Sequence, residues 1–420
     1  VKRLPDGTVI EVKTPADLPP AFQFHDLVFG PGMAPDAADA ADAFAPLTAA
    51  DWDDNYANFG AAKLTDDGLA RLARLPFAAG AKNLYFVGTQ VTDAGLAHLK
   101  GFSNAQNVDL SATPVTGSGF VHLARIPALF ALRACGRRLT PDGGALLADV
   151  PLAHLSIDGN PLVTDEFVAP LGKLTTLRVL DVSRTGLSDD GVKRLVAALP
   201  CCTVHATSGQ FDGKPPLEVA RPALEKIVQA GGEVRLSAVG KPWNGTDPLP
   251  PDGRLAEVKF HTDKTAFPDQ AGYRTSRAGE EIAALFAGVP AAAWDVRAAA
   301  LRTNVHVTPA GWRALAATPG LRFLTAVDLT NVGREDTLPV LATFPRLAQM
   351  RFNAGTFSDD GLKGFAAFPA LRKLSFFGVG AITAAGVAHL AAVPLDELLL
   401  ENCPKVTDDA VGPLSGMRTL

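Results

Sequence analysis

Sulfur and indole are scarce in this 420-residue chain, which has four cysteines, three methionines and four tryptophans. Cys135, Cys201, Cys202 and Cys403 lack metal-ligand spacing and are too few for a disulfide framework, so they read as reduced thiols. The adjacent Cys201–Cys202 pair reads as small apolar filler at a helix-to-strand turn rather than as a redox couple. Basic excess is missing too: the formal net charge is −5 and the Lys and Arg residues are scattered, which excludes a nucleic-acid footprint. No apolar run is long enough to span a bilayer; the longest candidate, Ile282–Trp294, is short and rich in alanine. There is neither an initiator Met nor a leader pattern at Val1, so the chain reads as cut from a longer one, with the cytoplasm as its expected compartment. A phosphate-binding loop, a dinucleotide fingerprint, an HExxH zinc motif and a nucleophile elbow are all missing, so no cofactor and no metal are expected.

What is present is a short motif that returns. An apolar residue, Thr or Ser, two mostly small or acidic residues and then Gly occur at 64–68, 91–95, 115–119, 139–143 and 187–191, and again at 307–311, 357–361 and 382–386. Weaker copies sit at 163–167 and 406–410. In the first run the hydroxyl positions 65, 92, 116, 140, 164 and 188 lie 27, 24, 24, 24 and 24 residues apart. A fixed period of this size is the signature of a solenoid.

Each unit has one grammar, clearest from Leu177 to Leu199. Leu180-Asp181-Val182 alternates apolar and polar, which predicts a short strand with one buried face. Ser188 is placed as a helix N-cap, with Asp189 and Asp190 where the helix dipole favours negative charge. Val192, Leu195, Val196 and Leu199 recur at helical spacing, and Pro200 ends the helix. No such unit buries both its strand and its helix alone, so neighbours must stack. Strands pair about 4.8 Å apart while helices need about 10 Å, so the stack bends with its strands inside.

This pattern, L-x-x-L-x-L followed by V-T-D-x-G-L-x-x-L, resembles the leucine-rich repeats, and in particular the cysteine-containing subtype of F-box substrate adaptors. The copy at 395–414 puts Cys403 on that subtype's signature position. Asn160 and Asn304 take the equivalent place in their repeats, as do Thr89, Thr113 and Thr185 in copies one residue shorter. The resemblance implies that these residues cap loop backbone along the array. No F-box-like region is present, so adaptor work is not implied. Arrays of this Ala-rich kind also resemble bacterial repeat proteins of the planctomycete type. The expected fold is thus an α/β solenoid, a leucine-rich repeat horseshoe with parallel strands on the concave face and helices on the convex face.

The period breaks between about Ser208 and Val296, which divides the chain. The reading is an N-terminal cap and irregular segment (1–55), a first array (56–207), a helix-hairpin cap and connecting segment (208–298) and a second array (299–420). Residues 217–230 read as a helix, and 232–236 with 252–260 as a hairpin. Val1–Leu4 with Asp6–Lys13 reads as the same hairpin in short form. Trp52 and Trp294 mark a helix or turn before each array, and Pro35–Ala50 reads as a surface helix, with a flexible linker as the alternative. An internal duplication is expected, each copy led by a cap that shields the first sheet edge.

Chemistry-bearing residues gather only where the geometry aligns them. Residues between paired apolar strand positions face the concave side: Asn58, Tyr85, Asp109, Arg133, Ser156, Asp181 and His205 in the first array, then Asp328, Arg351, Ser375 and Leu399 in the second. The candidate binding residues are Tyr85, Asp109, Arg133, Asp181, His205, Asp328 and Arg351, because Tyr and Arg anchor many interfaces. The bland alternative is a solvated sheet face on which charges pair across strands. Asp181 beside His205 has the form of half a catalytic dyad, but no nucleophile accompanies it. An enzyme would have to draw on His25, Asp26, His261 and Asp263 in the irregular segments. The expected function is therefore non-enzymatic recognition of a protein partner. The alternative is a scaffold that self-associates through array ends, its uncapped last repeat included, or through convex helices.

Overall fold

In the computed structural model the chain forms two compact units, Val1–Gly213 and Lys214–Leu420. The structure describes residues 52–414 apart from breaks at 61–62, 127, 137, 238–240, 251–252, 261–278, 296–298, 304–306, 319–320, 322–323 and 331–334. Before residue 52 it describes only 2–3, 9–10 and 24–28.

The first unit opens with a small antiparallel pair, β1 (Lys2–Arg3) and β2 (Val9–Ile10). A nine-stranded sheet follows, in sequence order: β3 (Phe24–Val28), β4 (Trp52–Asn58), β5 (Asn83–Tyr85), β6 (Asn107–Asp109), β7 (Ala131–Arg133), β8 (His154–Ser156), β9 (Val179–Val182), β10 (Thr203–Ala206) and β11 (Gly209–Phe211). All its neighbours are parallel except β10 and β11, whose antiparallel turn closes that end. Parallel strands need a crossover, and here each crossover is one repeat.

The second unit holds a seven-stranded sheet, again in order: β12 (Gly232–Leu236), β13 (Leu255–Phe260), β14 (Ala300–Thr303), β15 (Ala326–Thr330), β16 (Gln349–Asn353), β17 (Lys373–Phe377) and β18 (Glu397–Glu401). Only β12 and β13 run antiparallel. The helix Pro216–Gln229 packs its Leu217, Ala220, Leu224 and Ile227 into this unit's core. The order, direction and spacing of these strands define an α/β solenoid of leucine-rich-repeat type in each unit.

The two starts differ. In the second unit the hairpin β12–β13 is the first part of the repeat sheet, whereas in the first unit β1–β2 is a sheet of its own. The repeat sheet of the first unit instead begins with β3, inside the stretch read as irregular. Trp52 lies in a strand rather than in a helix or turn, and the boundary at 55/56 falls within β4. WDDNYAN shows almost no apolar alternation; what makes it a strand is the ladder offered by β5, with Tyr56, Ala57 and Asn58 opposite Asn83, Leu84 and Tyr85. The side chains of Trp52, His25 and Asp26, and all of Pro35–Ala50, His261, Asp263 and Asn304, lie outside the described residues.

Core packing follows the register. Leu84, Val108, Leu132, Leu155, Leu180 and Val204 face one another across successive strands of the first unit, and all are buried. Each such side chain contributes about 1.5–3 kcal/mol by leaving water. Several crossovers that read as α-helices wind as 3-10 turns, among them Gly95–Gly101, Ser118–Arg125 and Gly361–Ala367. A 24-residue repeat leaves room for only two or three turns, and tight winding suits so short a segment.

The capping hydroxyls do more than close their own helices. Ser188 Oγ accepts from Gly191 N at 3.0 Å and donates to Asp165 Oδ2, in the preceding repeat, at 2.7 Å. Ser358 does the same with Gly361 N (3.1 Å) and Glu335 Oε2 (2.8 Å). Thr383 donates to Asp359 at 2.6 Å and Thr92 to Asp66 at 2.6 Å. At the next junction Asp93 takes four donors: Thr116 N, Thr116 Oγ1, Gly117 N and Gly119 N, at 2.7–2.9 Å. The acid at this position, after a hydroxyl in Asp66, Asp93, Asp165 and Asp359 and after Arg334 in Glu335, thus latches its repeat to the following one. The motif glycine is part of the same device, since a Cβ on Gly119 or Gly191 would collide with Asp93 or Asp165.

These bonds shift the acids. Burial alone would raise Asp93, but the donors from Gly119, Thr116 and Gly117 outweigh it and hold the carboxyl below the usual aspartate value. The Ser188 hydroxyl, then its N–H, lowers Asp165, and those of Thr383 lower Asp359.

Loop caps complete the array. Thr89, Thr113 and Thr185 donate to the carbonyls of Phe86, Leu110 and Val182, and Asn160 donates to Ala134 and Ile157. Cys403 lies buried, 3.6 Å from the Glu401 carbonyl and 3.9 Å from that of Phe376.

Candidate binding surfaces

The register sets the polar residues in rows. On the first unit Asn58, Tyr85, Asp109, Arg133, Ser156, Asp181 and His205 are successive Cα partners across seven strands. On the second, Asp328, Arg351, Ser375 and Leu399 stand in one row, which Lys259 and Arg302 begin. The period-2 alternation of a strand is why residues 24 apart in sequence meet on one face.

Within the first row the members differ in character. The rings of Tyr85 and Tyr56 lie 4.8 Å apart at a tilt of 33°. Burial, then the neighbouring Tyr56 and Asp109, raises the Tyr85 hydroxyl above its ordinary value. Asn107 Nδ2 donates to Asn83 Oδ1 beside this pair. The adaptable amides and half-buried rings form an amphipathic end to the face.

Asp109 and Asp181 each accept from the backbone two residues on, Ser111 N at 2.9 Å and Ser183 N at 3.0 Å. Both carboxylates therefore shape the turn that follows their strand. Arg133 reaches Asp109 at only 3.9 Å with an exposed side chain, a pair of small energetic weight. Arg184, absent from the sequence reading, forms a two-pronged bond to Asp158 one row over. The side-chain hydrogen bond from Arg184, ahead of any Coulomb effect, draws Asp158 below its usual range. Asp181 and His205 are Cα partners, yet no hydrogen bond joins their side chains among the described residues.

The second unit's face is more highly charged. Arg302 sits 3.1 Å from Glu257 and 3.8 Å from Asp328, and Lys373 is 2.7 Å from Glu397. Arg351 is exposed and has no ion pair or hydrogen bond among the described residues. Leu399 is 43% exposed and Phe377 half-buried.

Among the described residues no cluster of three His, Cys, Asp or Glu side chains is placed to hold a metal ion, and no helix is long and apolar enough to cross a membrane. Cys135, Cys201, Cys202 and Cys403 are free thiols; burial, then the neighbouring Cys201, pushes Cys202 up to about 12, far from a reactive thiolate.

No protein-family model matches the chain, and no curated protein matches it. Solved structures similar to it include an internalin from Listeria monocytogenes (15% identity, 86% of this chain and 78% of that one, TM-score 0.28). A leucine-rich repeat protein of Leptospira interrogans aligns at 12% identity over 94% and 88%, TM-score 0.31. The yeast complex of Rad7 and Elc1 aligns at 12% over 90% and 73%, TM-score 0.25. Likenesses of this size decide nothing by themselves; the repeat and the register of this chain define its fold.

Proposed function

We propose that the chain is a non-enzymatic recognition module whose sheet faces bind a protein partner. The observation that carries this reading is the unbroken row Asn58–His205, in which Tyr, Asn, Asp, Arg and His side chains stand on a rigid parallel sheet. Open faces of this kind are the surfaces repeat proteins use for binding. Tyr85, Asp109, Arg133, Asp181 and His205 are its contact residues in the first unit, with Asp328 and Arg351 in the second. Tyr85 and Arg133 are the anchors, because a half-buried ring and an exposed guanidinium supply large contact area. The test is affinity capture from the native lysate with the chain as bait, beside a variant carrying Tyr85→Ala, Arg133→Ala and Asp181→Ala. A protein held by the wild type and released by the folded variant supports the reading. Capture that the substitutions leave intact removes the first unit's face from it.

A further inference from the structure

We propose that the second unit carries a docking site centred on Ser375, which takes an extended protein segment presenting an apolar side chain beside a carboxylate. This rests on reading the sheet faces as recognition surfaces and goes on to the chemistry of the ligand.

Ser375 is the small residue in a ring of large ones. Its Cα partners are Arg351 on β16 and Leu399 on β18, and Lys373 and Phe377 lie two residues either side on the same face of β17. Strands lie about 4.8 Å apart, so Arg351 and Leu399 stand about 10 Å from each other across the serine, wide enough for one inserted side chain. Phe377 and the 43%-exposed Leu399 form the apolar walls.

Charge decides what else the ligand must carry. Lys373 is already neutralised by Glu397, and Arg302 by Glu257 and Asp328. Arg351, in the same row, has no acceptor among the described residues. A carboxylate supplies it, in the forked geometry that guanidinium favours. The exposed Glu401 on β18 forms no ion pair among the described residues and repels that carboxylate. It therefore orients the segment across the strands, its acid over β16 and its apolar residue between Phe377 and Leu399. The same acid opposes a nucleic-acid backbone, whose repeated phosphates would meet it.

The test uses the full chain and a phage-displayed random peptide library as probe, followed by fluorescence polarisation of the enriched peptides. The expected peptides pair Asp or Glu with a neighbouring Leu, Ile or Phe. Arg351→Ala weakens them at least about tenfold, the scale of an interface anchor. Ser375→Trp, which fills the floor, abolishes them. Arg351→Glu shifts the enriched set to Lys-apolar pairs, an outcome that damage to the fold would not produce. Enriched peptides without an acid–apolar pair, or indifferent to Arg351→Glu, overturn the proposal. If those peptides are lost on Tyr85→Ala instead, the site fails while the broader recognition reading stands. If the chain enriches no peptide at all, both fall.

Discussion

The two units share one repeat grammar and fill it differently. In the first, the inward rows are mainly leucine and valine. In the second, Phe352, Phe357, Phe365, Phe368 and Phe376 form one connected ring cluster, with Phe352 and Phe376 stacked at 5.5 Å. Thr176 of the first unit is buried just before its strand and donates to the Leu152 carbonyl at 2.7 Å. The equivalent residue of the second unit is Arg346, 1% exposed, whose three guanidinium nitrogens have no acceptor among the described residues. Burial pushes this group down to about 9. The lesson is that a repeat position has to suit only the repeats on either side of it. Packing can therefore drift from one array to the other while the backbone period holds.

The largest effect should come from the ring cluster. Phe365→Ala removes a fully buried side chain that touches Phe352, Phe357, Phe368 and Phe376, and is expected to cost about 3–5 kcal/mol in urea unfolding. A loss under 1 kcal/mol would mean that the cluster is not the packing centre of the second unit.

Next comes Arg346→Met, which keeps the volume and removes a buried charge that has no partner among the described residues. It should stabilise by about 1–4 kcal/mol, read as a rise in the thermal midpoint at pH 7. The pH dependence has a definite sign. Because the folded group titrates lower than the unfolded one, the wild type carries the penalty below about 9 and loses it as pH rises. The advantage of the variant should therefore shrink in alkaline solution. Equal midpoints at pH 7 would show that Arg346 is paired in solution.

Latched and unlatched junctions give a finer contrast. Asp93→Asn should cost about 1–2 kcal/mol, a charge-assisted bond discounted for partial exposure. The folded value of Asp93 is depressed, so its contribution is complete above the unfolded aspartate range near about 3.9 and is lost as pH falls through the folded value. Wild type and variant should converge in acid. A gap that is constant with pH would assign the loss to packing instead.

The smallest effect is a gain. Thr383 precedes Ala384, where latched repeats carry an acid, and Ala384→Asp would aim a carboxylate at Thr407 in the following repeat. An increase of a few tenths to about 1 kcal/mol is expected in thermal unfolding, part of it from the helix terminus. A decrease would mean that the last junction lacks the geometry of the others.

Much of this was legible in the chain itself. The 24-residue period specifies a solenoid, and period-2 alternation alone places Tyr85, Asp109, Arg133, Asp181 and His205 in one row. Ser188 announced itself as a cap through the acids and apolar stripe behind it. These signals are local, and a repeated local signal survives wherever each unit meets only its neighbours.

Tertiary structure decided the rest. Asp93 and Asp165 look like dipole partners of their own helices, and only the stacked array shows them reaching into the next repeat. Ala112, Arg184 and Ala354 take left-handed backbone at φ 52–57°, in the turn position that Gly88, Gly159 and Gly378 fill elsewhere. Nothing in those three side chains foretells it; the bond from Ala112 N to the Cys135 carbonyl, or from Ala354 N to that of Phe377, holds them there. The strand β4, and Arg346 and Arg351 with no acceptor among the described residues, belong to the same class. Each depends on what a neighbouring repeat offers or withholds across about 5–10 Å, and that is a property of the stacked array rather than of any one segment.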